Sequence, residues 1–357
     1  MQSKTIVQGR LDFGSKIAFD KALKMVLYRL DTYYKNEILF KILPLFNEED
    51  NTIVVPRQIL TNGTDKLYRS TLHLFQYTAQ FAISGRIGMW ISTGGKVSHH
   101  DFVEPEGDKE TLNEFKKAEH YLSQVGKEKQ ALSVLDRVIT LHPMHSAALT
   151  LRGEIKMKLG DYDSALADFA QSIRIDPGFG HAHFGRHFIL TRQGHLDKAM
   201  EDLQETLRLS LALQSIQWKA RRRKATLHIA KKEFAEAARE LELFTKKAFT
   251  PADSNYQDRK EAYLSLARAY TGMSRYGDAL ACYEKALKIE NEALPLSGED
   301  YFHLAMMRKH VGQDPQADLI EAVRLGYEAA AEMIVPVDMQ KAVKPKAKVV
   351  RKKKLPV

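Results

Sequence analysis

A period of 34 residues is the feature that most restricts what this chain can fold into. Glycine permits the left-handed turn between two antiparallel helices, and alanine lets those helices approach closely. A large apolar residue four positions later fills the gap, and proline ends the second helix. The period therefore predicts a stack of helix pairs. The repeating positions are Gly126, Gly160 and Gly194; Ala131, Ala165 and Ala199; Leu135, Phe169 and Leu203; Pro143 and Pro177.

These positions resemble the tetratricopeptide repeat, a helix–turn–helix unit of the same length. Further copies carry the alanine slot at Ala237 and Ala279, and a last pair keeps Gly312. The resemblance covers roughly residues 112–328. It implies a mainly α-helical protein, an α-solenoid of about six helix pairs. It also implies a concave face, lined by the first helix of each pair, that binds a protein or peptide, and it does not imply an enzyme.

The N-terminal part of the chain does not follow the 34-residue period. Residues 5–13 alternate like a strand, a long amphipathic helix follows, and the β-branched run 51–56 predicts a second strand. Residues 65–91 predict another helix, and 94–105 a third strand. The order β-α-β-α-β predicts a small α+β or α/β domain, for which no family is recognised.

The pattern divides the chain into four parts. We predict a small α/β or α+β domain over 1–105 and a linker over 106–111, marked by Pro105 before it and Gly107 within it. The α-solenoid is predicted over 112–334, and a disordered basic tail over 335–357. The oligomeric state and the role of the first domain do not follow from the sequence.

The basic character of the chain belongs to its tail. The net charge of +9 falls to +1 over residues 1–340, because 341–357 holds eight basic residues and no acidic one. Such a segment can attach to nucleic acid through phosphates. It can equally add solubility or anchor a partner, and both readings stay open. The residues predicted to make tail contacts are Arg351, Lys352, Lys353 and Lys354.

The strongest polar cluster in the repeats is basic. Lys219, Arg222 and Arg223 come from one predicted first helix, on which residues three or four apart share a face. Arg192 closes the preceding first helix and is expected to approach them across the groove. Guanidinium groups bind carboxylates in a two-pronged way, so we predict a partner with an acidic segment. The competing interpretation is a solvated basic face.

Lys219 and Arg223 occupy slots that resemble a known clamp. Some tetratricopeptide-repeat proteins hold a chaperone's C-terminal carboxylate with a lysine and an arginine at these slots. Those clamps also use asparagines on preceding first helices, where this chain has Leu151 and Gly185. The resemblance therefore favours a general acidic partner over a C-terminal carboxylate.

The remaining polar motifs predict no chemistry. His183 and His187 lie one above the other on a predicted first helix and are expected to line the concave face. His99 and His100 point to opposite faces of a strand, so they converge poorly on a metal. Cys282 is expected to be a buried structural thiol. No catalytic, cofactor-binding or metal-ligating residue is predicted.

These observations predict an intracellular protein-interaction scaffold or adaptor. A nucleic-acid or ribonucleoprotein-associated factor that uses the tail is the alternative, and an enzyme on the N-terminal domain is a third. No apolar run reaches the ~18 residues of a membrane span, and no signal peptide is visible at the start. A single cysteine excludes an internal disulfide framework, so we expect a cytoplasmic location.

Overall fold

The N-terminal part of the chain forms a five-stranded antiparallel sheet in the structure, which is a computed structural model. The strands are β1 (Ser3–Asp12), β2 (Phe46–Asn47), β3 (Thr52–Leu60), β4 (Ser84–Thr93) and β5 (Lys96–Val103). Their order across the sheet is β2-β3-β1-β4-β5. The residues that the structure describes are 3–35, 37–61, 63–94, 96–289 and 295–335.

Two helices cover one face of this sheet. Helix α1 (Lys16–Arg29) begins after Ser15, whose side chain accepts a hydrogen bond from the Ala18 amide, and α2 (Asp65–Ala79) begins after a similar cap. Apolar side chains of the strands and of both helices form one core between the layers. The largest fully buried members of this core are Leu11, Phe13, Phe19, Ile42, Ile53, Leu74, Phe75, Ile87 and Met89.

The predicted helix over 65–91 is wrong in its second half. Helix α2 ends at Ala79, and the chain then forms β4, which lies beside β1. Gly85 has φ +97°, and a Cβ there would lie 2.2 Å from the Arg10 carbonyl oxygen. Only glycine suits this close approach of two strands, and glycine also weakens a helix. With β4 and the short β2, the sheet has five strands where three were predicted.

The rest of the described chain consists of six helix pairs, which confirms the predicted solenoid. The two helices pack against each other in the first three pairs and in the last two, and a loop leads from each second helix to the next pair. The pairs are α3 (Lys109–Leu122) with α4 (Glu128–Leu141), α5 (Ser146–Lys158) with α6 (Tyr162–Ile175), α7 (Gly180–Arg192) with α8 (Leu196–Leu209), α9 (Ser215–Ala230) with α10 (Phe234–Lys246), α11 (Arg259–Gly272) with α12 (Tyr276–Leu287), and α13 (Gly298–His310) with α14 (Gln316–Arg324).

The turn inside each helix pair passes through a left-handed residue. Four of the six pairs use glycine, as predicted, but Lys232 and Ser274 stand at the same place with φ 61° and 59°. A left-handed conformation costs a residue with a Cβ roughly 1–2 kcal/mol. These two turns are therefore strained relative to the others. The four glycines are Gly126, Gly160, Gly194 and Gly312.

Glycine at the two strained turns should stabilise the protein. We expect Lys232→Gly and Ser274→Gly each to raise the free energy of unfolding by about 0.5–1 kcal/mol, measured by urea titration. Ala230→Gly, at the last residue of the helix before the first turn, is the control and should not raise it, because this position is not left-handed. Equal losses in all three variants would show that the left-handed conformation carries no strain.

The alanine slot marks the closest approach of the paired helices. Each of its members is fully buried, which is what a stack of helix pairs requires. Beside the slot, Phe169 of α6 is fully buried between two glycines. A Cβ on Gly153 would lie 3.0 Å from its ring, and one on Gly185 only 2.3 Å from it. The slot holds Ala131, Ala165, Ala199, Ala237 and Ala279.

The chain divides into two compact units, Met1–Ala220 and Arg221–Val357, which we call unit 1 and unit 2. The division falls inside α9 and not at the end of the sheet. Unit 1 therefore contains the sheet together with the first three helix pairs. The four predicted parts of the chain remain predictions, since the compact units follow a different boundary.

The segment predicted as a linker over 106–111 is held by hydrogen bonds. The amide of Glu106 donates to the Ala79 carbonyl, and that of Gly107 donates to the Ala82 carbonyl, both at 2.8 Å. Helix α3 begins within the predicted linker, after the Asp108 cap. The segment before α3 is thus hydrogen-bonded to the end of α2 and to the turn before β4.

Candidate protein-binding surface

The sheet has a second face, opposite α1 and α2, and this face is polar along β1. Val7 and Leu11 point to the helices, so the alternate residues Gln8, Arg10 and Asp12 belong to the second face. From the sequence alone, these polar residues would be expected to face solvent. In the structure they contact the repeats of unit 1.

The second face of the sheet contacts a row of loops. The Gln8 side-chain amide donates to the Leu209 carbonyl at 3.1 Å, and the Arg57 guanidinium donates to the Ser210 carbonyl at 3.0 Å. Arg57 also donates to the Gln8 amide oxygen at 2.7 Å, which joins the two contacts. A Cβ on Gly14 would lie 3.3 Å from the His142 ring. The sheet is therefore attached at both ends of this row.

The contacted loop residues follow the 34-residue period. His142, Asp176 and Ser210 end α4, α6 and α8, and we call them the loop row. The His142 charge acts on Asp12, and the Asp176 carboxylate interacts with Arg10. Successive second-face residues of β1 therefore face successive loops. Asp12 interacts with the first, Arg10 with the second and Gln8 with the third.

The same face of the sheet lies against the first helices. Strand β4 packs against α5, and the charge of Arg86 in β4 acts on Glu119 of α3 and on His181 of α7. Trp90, on the second face of β4, is only 3% exposed. We call the surface formed by α3, α5 and α7 the first-helix face of unit 1. The chain's own sheet covers part of this face.

Buried charges lie where β1 meets the loop row. Burial raises the pKa of Asp12, while the Gly14 amide and the Arg10 charge lower it and the Asp176 charge raises it. Burial likewise raises the pKa of Asp176, against the charge of Arg10. The nearest Arg10–Asp12 ion-pair atoms are 3.8 Å apart. One guanidinium therefore balances two carboxylates at this contact.

His183 and His187 do not lie on an open face. They are 7% and 2% exposed, and the Nδ1 atom of His183 lies 2.9 Å from an Asp202 carboxylate oxygen. Burial alone would raise the pKa of Asp202, but hydrogen bonds with Arg186 and His183 outweigh it and lower it. His187 contacts the Phe184 carbonyl. In the structure His183 links α7 to α8, and His187 packs against residues of its own helix.

Arg222 is withdrawn into unit 2. Its side chain is 7% exposed, and its guanidinium donates to Glu261 at 2.6 Å and lies 3.1 Å from Asp258. Arg223 is half-buried; burial and then the neighbouring Arg222 charge lower its pKa. The basic cluster predicted from the sequence therefore separates into one internal ion-paired arginine and its neighbours.

Arg192 and Lys219 are not brought together. Arg192 is the last residue of α7 and lies 4.6 Å from the Tyr162 ring centroid, at the rim of an open cleft of about 340 Å³. Lys219 is instead near the start of α9. Lys219 instead acts electrostatically on Glu154 and His181.

Other predicted positions carry no assembled site. The tail residues, Arg351 to Lys354, lie outside the described residues, so the nucleic-acid reading stays a prediction. His99 pairs with Asp101 at 2.9 Å, and among the described residues no three potential ligands converge on a metal. Burial raises the pKa of the Cys282 thiol to about 11. An enzyme on the sheet domain also stays a prediction.

The sequence analysis missed the residues that attach the sheet to the repeats. Gln8, Arg10 and Arg57 lie on what reads as a solvent face, and Trp90 fell in a predicted helix. The available signal was a tryptophan on the face of β4 opposite Met89. It becomes visible only after β4 is recognised as a strand.

Comparison with known proteins agrees with this architecture. Family models for the tetratricopeptide repeat match residues 117–178 and 260–292, which lie in α3–α6 and α11–α12. Both stretches of the chain are therefore tetratricopeptide repeats. Repeats of this kind support a general role in protein interaction.

Two curated relatives match part of this chain. The TPR repeat-containing thioredoxin TTL4 of Arabidopsis thaliana is 32% identical over 116 residues, which is 32% of this chain and 17% of the relative. The tetratricopeptide repeat and J domain-containing co-chaperone DNJ1 of Cryptococcus neoformans is 37% identical over 70 residues, 20% of this chain and 13% of the relative. The chain thus matches less than a fifth of either relative.

A solved structure supports the fold. PilF of Pseudomonas aeruginosa superposes with a TM-score of 0.53 at 13% identity, covering 62% of this chain and 97% of that protein. This likeness concerns the helical architecture alone. Among the residues that the structure describes, no helix combines the length and apolarity that crossing a bilayer requires.

Proposed function

We propose that this tetratricopeptide-repeat protein holds a protein partner that presents an acidic segment, and that Lys219 and Arg223 bind that segment. The two side chains stand four residues apart in α9 and therefore share a helix face. Carboxylates form charge-assisted hydrogen bonds with both groups. The proposal involves binding and no covalent chemistry. A cytoplasmic location belongs to it, supported by a single cysteine, Cys282, which is buried and free.

The observation that carries the proposal is the placement of Lys219. This lysine is half-buried, yet none of the ion pairs between described residues includes it, and its charge acts on Glu154 and His181 at a distance. Arg222, by contrast, is already paired with two carboxylates. A partner's acidic group is the chemistry that a partly desolvated lysine on a first helix would recruit.

Charge reversal tests the proposal. We expect Lys219→Glu with Arg223→Glu to reduce recovery of an acidic partner at least about tenfold, because two favourable charge contacts become repulsive. The measurement is affinity capture of the tagged full-length protein from its native cell, quantified by mass spectrometry. Helical circular dichroism of the purified variant should be unchanged.

The matched control reverses two charges on a second helix. Lys198→Glu with Arg208→Glu changes the net charge equally, and both side chains are exposed on α8. This control should keep the partner. An unchanged set of captured proteins in the Lys219 and Arg223 variant, or equal loss in both variants, would contradict the proposal.

A further inference from the structure

The sheet of unit 1 lies where a partner of the repeats would have to lie. Its second face is attached to the loop row and packs against α5, so it covers part of the first-helix face of unit 1. We propose that the sheet is a removable cover of the first-helix face, and in this role we call it the plug. In the docked state it restricts access to the first-helix face and to Lys219, and an acidic partner binds more tightly once the sheet has moved away.

The attachment has the character of a reversible contact. Its identified links are polar: Gln8 and Arg57 bind backbone carbonyls, and Arg10 faces Asp176 by charge. Contacts that form and separate are more polar than permanent ones, which resemble a divided core. Trp90 is a large apolar side chain on this second face, and it is 3% exposed.

The charge contact at the centre of the attachment is incomplete. The Arg10 Nη2 atom is buried and makes no hydrogen bond to a described residue, and its nearest carboxylate oxygen, on Asp12, is 3.8 Å away. A buried donor without a partner carries an uncompensated desolvation cost. This cost weakens docking and leaves the docked and open states closer in free energy.

Lys219 connects the plug to the proposed binding site. The charge of Lys219 and that of Arg86 in β4 both act on His181 of α7. Burial, and then both charges, lower the pKa of His181, so Lys219 and the covering strand β4 act on the same residue of the first-helix face. Departure of the sheet would open the approach to Lys219, and the inference rests on the proposed function in this respect.

Removal of the two loop-row hydrogen bonds tests the plug. Gln8→Ala with Arg57→Ala deletes both donors, and Gln76→Ala with Arg69→Ala is a control of the same composition on the exposed side of α2. In the full-length protein, hydrogen–deuterium exchange of α5 and α7 should rise in the first variant only. A fluorescein-labelled deca-glutamate peptide should bind that variant at least about fivefold more tightly, since a larger fraction is competent to bind.

The outcomes separate the plug from the proposed function. Unchanged exchange in α5 and α7, or faster exchange with equal peptide affinity, overturns the plug and leaves the proposed function standing. A peptide that binds no form of the protein overturns the proposed function. Tighter binding in the Gln8 and Arg57 variant, reversed by adding Lys219→Glu, supports both.

Discussion

Replacing Trp90 by alanine is expected to lower the free energy of unfolding by about 4 kcal/mol, the usual loss for a buried tryptophan. The reason is its position on the second face of the sheet. There the ring lies across Gly88, meets Phe102 edge to face at 5.7 Å, and is 3% exposed. The measurement is urea unfolding followed by the fluorescence of Trp218, the one tryptophan that remains.

Phe102→Ala is the matched control for this expectation. Phe102 shares the second face with Trp90 but is 40% exposed, so its removal should cost less than about 1.5 kcal/mol. The difference between the two variants measures how firmly the sheet is held against the repeats. Similar small losses in both would mean that the second face is open in solution, which would also remove the basis of the plug.

The repeat architecture could be predicted because each of its slots is a local steric requirement. A small residue such as Ala165 is needed wherever two helices touch, and a left-handed turn favours glycine at Gly160. These requirements recur every 34 residues and are visible without knowledge of the fold. They also predict six pairs, although Lys232 and Ser274 occupy the turn at a cost.

The sheet was harder to predict because two strong local patterns adjoin. Apolar residues spaced for a helix continue from α2 towards β4, and the break between them depends on Gly85. That glycine is required by the neighbouring strand, through the close approach of its backbone to the Arg10 carbonyl. Contacts with the distant strand β1 therefore determine that this segment is a strand. The apolar spacing along the segment itself carries no information about those contacts.

The candidate site departed from the sequence reading for the same reason. His183 and Arg222 were predicted on an open face, but Asp202 from α8 and Glu261 from α11 hold them inside. The contact of Gln8 in β1 with Leu209, 201 residues later, could not be read from the local pattern. In these repeats, charged side chains such as Arg222 are internal ties between helices.

Phe169→Ala is expected to lower the free energy of unfolding by about 4 kcal/mol, measured by urea titration. Its ring is fully buried between α5 and α7, and the residue that faces it on each of these helices is a glycine, Gly153 or Gly185. The surrounding backbone cannot collapse easily into the space, because three helices with their own hydrogen bonds border it. The loss should therefore lie well above that of an exposed apolar residue such as Leu159.

Gly185→Ala tests whether the ring and the glycine were selected for each other. In the natural protein the added methyl would lie 2.3 Å from the Phe169 ring, so we expect a loss of about 1–3 kcal/mol from overpacking. In the Phe169→Ala background the same methyl enters the vacated space and replaces glycine within a helix, so it should be neutral or stabilising by up to about 1 kcal/mol. If the effect of Gly185→Ala on the free energy of unfolding changes sign between the two backgrounds, the Phe169 ring fills the space that the glycine leaves between repeats. An equal loss in both would mean that Gly185 serves the backbone of α7 and not its packing against α6, and this packing would then depend on the alanine slot alone.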